Sequence, residues 1–337
     1  MGKVIVIGAG MVGLSTAWHL QERGYEVSVL DRRGIAAGSS WGNAGWLTPA
    51  KTLPLADPSL WTYGARTFFD ADSPLHMPFR IDRNLWFFLA RFMRNATQPR
   101  WDSTLRDLTP ISRVALAAFD ELHDGGIDQI THDGPFIIGF ENEEQSKGFL
   151  REVDGVRAHG QDVEMSQVDN PQALAPMLSE EVPLVYRMEG QRFIEPGPYV
   201  EALARSVIHR GGEIRTGVDI THVTSVDGPA VLFPDGSREE ADKVVIATGA
   251  WLPKLAADHG VKMMVQAGRG YSFSVDTDIP AQHSLYLPHH RMACTPYQGR
   301  FRIAGTMEFR GPDEPLDPHR IQAIVNQARR LMRGIDF

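Results

Sequence analysis

The chain has 337 residues, 42% hydrophobic and 23% charged, with a formal net charge of −8. This composition excludes a disordered or fibrous chain, and it excludes a sequence-independent nucleic-acid binder, which needs a basic face. The length suits about two domains at ~100–200 residues each, and the single Cys294 excludes an internal disulfide and fits a reducing, cytoplasmic setting.

Lys3–Ile7 reads as a short buried strand, KVIVI. Residues 11–23 have helical spacing, with Val12, Leu14, Ala17 and Leu20 toward one side and Gly24 as the stop. YEVSVLD returns to strand character and ends on Asp31, which makes a βαβ unit with two parallel strands. Residues 34–80 are rich in Gly, Ser, Pro and Trp and read as irregular. Two amphipathic helices follow, Arg83–Ala96 and Ile111–His123. GPFIIGFE is a strand, and residues 143–180 mix a polar helix with turns. The run from Gly197 to Arg210 is a helix, closed by Gly211-Gly212. Strands are expected at Glu213–Thr216 and Asp219–Thr224, with a turn at Asp235-Gly236 and a buried strand in KVVIATG. A strand-rich stretch runs from Val261 to Thr306, and a last helix spans Asp317–Arg333. No apolar run reaches the ~18–20 residues of a membrane span.

The chemistry starts at Gly8, Gly10 and Gly13. GxGxxG alone is a weak pattern, but here it follows a strand, opens a helix and has an acid 23 positions after its first glycine. Gly8 permits the tight turn, Gly10 lets backbone approach a pyrophosphate, and Gly13 lets helix approach strand. The amides of Met11, Val12 and Gly13 then face the phosphates at the positive end of the helix. Asp31 is placed to accept from a ribose hydroxyl. Arg32 and Arg33 raise NADP, but Asp31 repels a 2′-phosphate, which leaves FAD and NAD. The small-residue loop AAGSSWGNAGWLTP favours the longer flavin nucleotide. Ser39 and Ser40 can serve the phosphates, and Asn43, Ala44, Gly45, Trp46 and Leu47 can lie along the isoalloxazine ring. Thr248 and Gly249, at the end of KVVIATGAW with Trp251, offer a further place for backbone to pass the phosphate end.

The segments VIVIGAGMVGLSTAWHLQERGYEVSVLDR, GSSWGNAGWLTP, DKVVIATGAW, GRGYSF and RFRIAGTMEFRG together resemble the D-amino-acid oxidase-like FAD-dependent oxidoreductases, most closely the D-amino-acid dehydrogenase branch. They span residues 4–311. The resemblance implies an α/β fold. A Rossmann-like FAD-binding domain is expected at 1–78 plus 188–258, and a mixed α+β substrate domain at 79–187 plus 259–337. It also implies that Val218 touches the adenine through its backbone. Members of the family continue with a Gly-x-Arg-Pro stretch and a Gly-rich strand–helix segment that closes over the flavin. This sequence stops at MRGIDF, so the resemblance implies a chain truncated before that segment, with weak FAD binding or no activity expected as it stands.

By the same resemblance, hydride leaves the substrate Cα for the flavin, and the imine product gives a 2-oxo acid. Electrons then pass to a quinone, a carrier protein or oxygen. Tyr271 and Arg291 are the candidates to hold the substrate carboxylate. His289 and His290, adjacent on an expected strand, face opposite sides and make a poor chelating pair, so no metal is expected. Trp41 and Trp46 are expected beside the ring, and Arg329 and Arg330 on the solvated side of the last helix. Four readings stand at this point. The first is a D-amino-acid dehydrogenase, with D-proline and hydroxyproline among its substrates. The second is an oxygen-using amine oxidase of the sarcosine or glycine type. The third is a non-catalytic flavoprotein subunit or inert fragment, and the fourth a nicotinamide dehydrogenase. Peripheral contact with the inner face of a membrane is compatible with the first, although the sequence offers no obvious amphipathic anchor.

Overall fold

The computed structural model describes residues 2–61, 75–76 and 82–337. The rest of the expected irregular stretch, and the expected domain boundary at 78, lie outside the described residues. The chain divides into two compact units. Unit 1 holds residues 1–43, 122–130 and 195–267; unit 2 holds 44–121, 131–194 and 268–337.

In unit 1, β1 (Lys3–Ile7), β2 (Glu26–Asp31), β8 (Glu213–Thr216) and β12 (Lys243–Ile246) form a parallel sheet in the order β12-β1-β2-β8. Val4 pairs with both Val27 and Lys243, and Ile7 with Leu30 and Ile246. β1 is central and its Val4, Ile5 and Val6 are fully buried, as a strand covered on both faces must be. β12, expected as a buried strand, is an edge strand and only half-buried. The crossover helix α1 (Met11–Glu22) turns Gly13, Leu14, Ala17 and Trp18 inward. Val12 does not join them; it stands 67% exposed at the helix start. A small antiparallel sheet, β11 (Arg238–Glu240), β10 (Ala230–Leu232) and β9 (His222–Thr224), completes the unit with helix α7 (Pro196–His209).

Unit 2 is built on a mixed sheet whose path runs β13 (Gly268–Val275), β16 (Arg300–Phe309), β15 (Met292–Tyr297), β14 (Ser284–Leu287), β5 (His132–Phe140), β7 (Leu184–Phe193), β3 (Trp46–Leu47). β4 (Leu75–His76) pairs with β16, and β6 (Met165–Gln167) with β7. Period-2 alternation divides the sheet faces. Ile137, Val185, Leu285, Cys294, Phe301 and Ile303 cluster with Ile324, Ala328 and Leu331 of helix α9 (Pro318–Leu331). Phe136, Ile138, Phe140 and Met188 cluster instead with Trp101 and Leu105 of α4 (Gln98–Asp124) and with Phe149, Val153 and Val156 of α5 (Glu143–Ala158).

Three sequence expectations change here. The helix expected at Ile111–His123 is α4, which begins at Gln98 and runs through Pro110. Pro110 is exposed, so the carbonyl it frees can face water, while buried Trp101 and Leu105 anchor the turns before it. The units divide at other positions than those expected, because Trp46 and Leu47 pair with Phe193 and Arg192. That pairing takes residues from Ala44 onward, and all of β7, into unit 2. His289 and His290 lie in a 3₁₀ turn, Pro288–His290, rather than on a strand.

Candidate functional site

The glycine turn of unit 1 is steric in origin at Gly8 and Gly13. Gly8 has φ +114°, and a Cβ there would stand 2.5 Å from the Ala247 carbonyl oxygen. A Cβ on Gly13 would stand 1.8 Å from the Gly8 carbonyl oxygen, so α1 can lie this close to β1 only without a side chain. A Cβ on Gly10 would meet Ser40 alone, at 3.0 Å. Gly10 caps α1 without any side-chain hydrogen bond. The Met11 amide donates to Ser40 Oγ at 3.0 Å, whereas the Val12 and Gly13 amides find no acceptor among the described residues. Unspent amides at a helix start, with no Cβ in front of them, are the donor set a diphosphate takes.

Asp31 holds this turn. Its Oδ2 accepts from the Ala9 amide at 2.9 Å, and its Oδ1 from the amides of Arg33 at 2.8 Å and Gly34 at 2.9 Å. A carboxylate has about four acceptor sites, so capacity for a ribose hydroxyl remains. The Val218 amide is spent on the Asp31 carbonyl at 3.0 Å, which leaves its carbonyl for an adenine. Arg32 lays its guanidinium over the Trp251 ring, 4.3 Å from the centroid, and Arg33 lies 5.7 Å from the same ring. Thr248 and Gly249 follow β12 beside Gly8; Gly249 has φ +54°, and the Thr248 hydroxyl is buried without a partner. Ser39 and Ser40 lie in a one-turn helix, α2 (Ser39–Gly42), and both carbonyls accept from the Asn43 side-chain amide. Trp41 packs on Gly197, where a Cβ would meet its ring at 2.7 Å.

The expected ring-side residues 44–47 belong to unit 2. The Ala44 carbonyl accepts from Thr295 Oγ1 at 2.7 Å and from Tyr297 Oη at 3.0 Å. The Gly45 carbonyl accepts from the Ile194 amide, and Trp46 Nε1 donates to Thr295 Oγ1 at 2.9 Å. Trp46 sits edge-on to Phe136 and Tyr286. Arg302 is cross-strand to Thr295, hence on the same face, and its guanidinium is 5.1 Å from the Tyr297 ring centroid. It is 8% exposed, and burial lowers its pKa. Burial also pushes the Tyr297 hydroxyl up to about 12. The sequence reading missed Arg302. Its signal was an arginine between two apolar residues, Phe301 and Ile303, at strand spacing.

Tyr271 and Arg291 do not come together as a carboxylate clamp. Tyr271 is 4% exposed; its hydroxyl donates to Glu308 and accepts from the Asp317 amide at 3.1 Å. The hydroxyl proton is therefore committed, and burial first, then the Glu308 bond, raises its pKa. Glu308 is fully buried with Arg310 Nε 3.1 Å away. Arg291 is exposed, on a left-handed turn at φ +48°. Its neighbour His290 contacts Glu141 at 2.9 Å, and Arg330, expected on the solvated side, pairs with the same carboxylate. No cluster of metal-ligating side chains is found among the described residues.

The model of the FAD dependent oxidoreductase family, DAO, matches residues 3–336. A D-amino acid dehydrogenase of Xylella fastidiosa (strain 9a5c) is 28% identical over 330 residues, covering 94% of this chain and 75% of the relative. Among solved structures, glycine oxidase from Bacillus cereus ATCC 14579 superposes with a TM-score of 0.69 at 19% identity, covering 100% of this chain and 81% of the other. L-alpha-glycerophosphate oxidase from Mycoplasma pneumoniae, solved with FAD bound, gives 0.69 at 16%, covering 100% and 80%. At these identities the two structures speak for the fold alone. A family match over nearly the whole length, on a chain whose glycine turn has the open amides a dinucleotide needs, makes this protein a member of the DAO family of FAD-dependent oxidoreductases.

Proposed function

We propose that this enzyme oxidises a D-amino acid, or a cyclic imino acid such as D-proline, to the corresponding imine. The observation that carries the reading is the glycine turn, with its unspent Val12 and Gly13 amides, in a chain aligned over 94% of its length with a D-amino acid dehydrogenase. In this reading the turn, Ser40 and the Thr248-Gly249 bend hold the diphosphate, Asp31 the ribose, and the Val218 carbonyl the adenine. Bound FAD supplies the two-electron acceptor for hydride from the substrate Cα. The chain's own task is positioning: no strong base is required when the amine and Cα are held in line.

For the substrate carboxylate the reading takes Arg302 in place of Arg291. Arg302 is a buried cation on the Trp46–Thr295 face of the sheet, and a desolvated guanidinium binds carboxylate in two parallel hydrogen bonds. Trp46 and Tyr286, both half-buried, give that face the apolar surface a small side chain needs. The test is anaerobic addition of D-amino acids and D-proline to FAD-loaded protein. Bleaching of the flavin band near ~450 nm supports the reading. A flavin left oxidised by every one of them refutes it. Readmitting oxygen then separates the acceptors: stoichiometric peroxide assigns oxygen, and its absence leaves a quinone or carrier protein.

A further inference from the structure

Unit 2 contains a cavity of about 260 Å³ that the proposed amine oxidation does not use. Its apolar wall is Leu116 of α4 and Pro49 of the 3₁₀ turn Pro49–Lys51. Its polar wall is a bulge in β7. Gln191 pairs with Gly134 and Met188 with Phe136, so Glu189 and Gly190 stand opposite Pro135 alone. Gly190 has φ +69°, in the left-handed region that glycine enters without strain. The Glu189 amide donates to the Glu164 carbonyl at 2.9 Å, which joins the loop after α5 to this bulge. The cavity lies beside the strand pair that holds Trp46. Gln191 is two residues from Phe193, the cross-strand partner of Trp46, and Pro49 is two residues past Leu47.

Two glutamines bring unmet acceptors to this cavity. Gln191 is 4% exposed, and its amide nitrogen donates to the Glu189 carbonyl at 2.9 Å. Its Oε1 is buried with no hydrogen-bond partner among the described residues, and the same holds for Gln161 Oε1. A buried acceptor is costly to leave without a donor, so two at one cavity need a reason. The terminal torsion of a glutamine is broad, and either oxygen can turn to a donor placed in the cavity. The surrounding charges select that donor. Asp162, Glu164 and Glu189 bring three carboxylates to the lining, and Arg113 a single cation, whose Nε and Nη2 are engaged by the Gly160 carbonyl. Such a lining repels anions. Among the described residues these carboxylates form no metal-ligating cluster. The cavity is also smaller than the ~300–1,000 Å³ of pockets for drug-sized ligands. An apolar wall beside oxygen acceptors in a negative lining suits an ammonium group on a short hydrocarbon tail.

We propose that this cavity binds a small aliphatic ammonium ion, with its N–H groups on the Gln161 and Gln191 amide oxygens, its tail on Leu116 and Pro49, and the rim carboxylates balancing its charge. The site is separate from Arg302 and does not depend on which amine is oxidised. The test is anaerobic isothermal titration of FAD-loaded protein with n-butylammonium chloride at neutral pH, against 1-butanol as the uncharged isostere. One equivalent of the ammonium ion is expected to bind, and the alcohol is not. Gln191→Leu is expected to weaken binding about tenfold or more, as the loss of a hydrogen bond to a charged group does. Asp162→Asn with Glu164→Gln is expected to weaken it about two- to fivefold at low salt and less at high salt, since both carboxylates are exposed. Thermal melts without ligand verify that the variants are folded; if Gln191→Leu melts early, Gln161→Leu gives the same readout. No binding, butanol binding as tightly as the ammonium ion, or binding unchanged in every variant overturns the proposal. Arg302→Met should leave the binding intact. Loss of binding there places the ammonium ion at the proposed substrate site and overturns the proposal equally. Flavin bleaching by amino acids is read separately, so either reading can fail while the other stands.

Discussion

Gly13→Ala separates two physical effects of opposite sign. Gly13 lies inside α1, where alanine is favoured over glycine by about 0.8–1.0 kcal/mol on helix propensity alone. Against this, the added Cβ falls 1.8 Å from the Gly8 carbonyl oxygen, a backbone atom that no rotamer change can move. Restoring even a tight contact near 3.0 Å needs α1 to retreat by about 1.2 Å from β1. Overpacking of this kind costs about 1–3 kcal/mol, so the net expectation is destabilisation despite the better helix former. The same retreat carries the Val12 and Gly13 amides away from the diphosphate. Losing one hydrogen bond to a charged group, at about 1.5–3 kcal/mol, weakens FAD binding at least about tenfold. Gly148→Ala is the matched control: Gly148 lies in α5, and a Cβ there meets nothing within 4 Å. It should stabilise by about 0.5–1 kcal/mol. Denaturant melts and FAD titration followed by flavin fluorescence read both quantities. A Gly13→Ala protein as stable as Gly148→Ala, with FAD affinity within twofold of the parent, refutes the steric account of the cradle.

Tyr271→Phe removes a donor from the buried Glu308 carboxyl and should cost about 1–3 kcal/mol in denaturant melts. Turnover per bound flavin should stay within about twofold of the parent; a large fall in kcat with unchanged stability returns Tyr271 to the substrate. Arg302→Met should raise KM for the amino acid by about 10–100-fold with FAD affinity unchanged, while Arg291→Gln leaves KM near the parent value, both read by steady-state kinetics. Glu141 is held down to about 2, chiefly by the hydrogen bond from Arg330. Its contribution is therefore complete above its unfolded pKa near 4.5 and is lost as pH falls through 4.5 toward 2. The full shift corresponds to about 3 kcal/mol, but Arg330 is 42% exposed, and solvent screening reduces the contribution to about 1–2 kcal/mol. Arg330→Gln should thus lose that much stability at pH 7 and converge on the parent near pH 2–3; a constant gap across this range refutes the assignment.

What the sequence made legible is what local sterics decide. The Gly8–Gly13 turn could be read because each glycine has a reason within a few residues or across one parallel strand pair, and β1, α1 and β2 follow from periodicity alone. Where the reading failed, the deciding partner was distant in sequence. Pro110 looks like a helix breaker until Trp101, nine residues earlier, is seen packed on Gly155, where a Cβ would meet its ring at 2.8 Å. The strand GRGYSF shows that Tyr271 is in a sheet, but only the β13–β16 register brings its hydroxyl to Glu308, 37 residues on. Helix α3 (Arg83–Asn95) was legible only in part. Arg83, Arg91 and Arg94 fall on one side at helical spacing, which turns Leu85 and Leu89 inward. What the spacing does not name is the partner: Leu60 and Phe309, from distant parts of the chain, supply it, and Trp86 and Phe87 stay exposed beside the arginines.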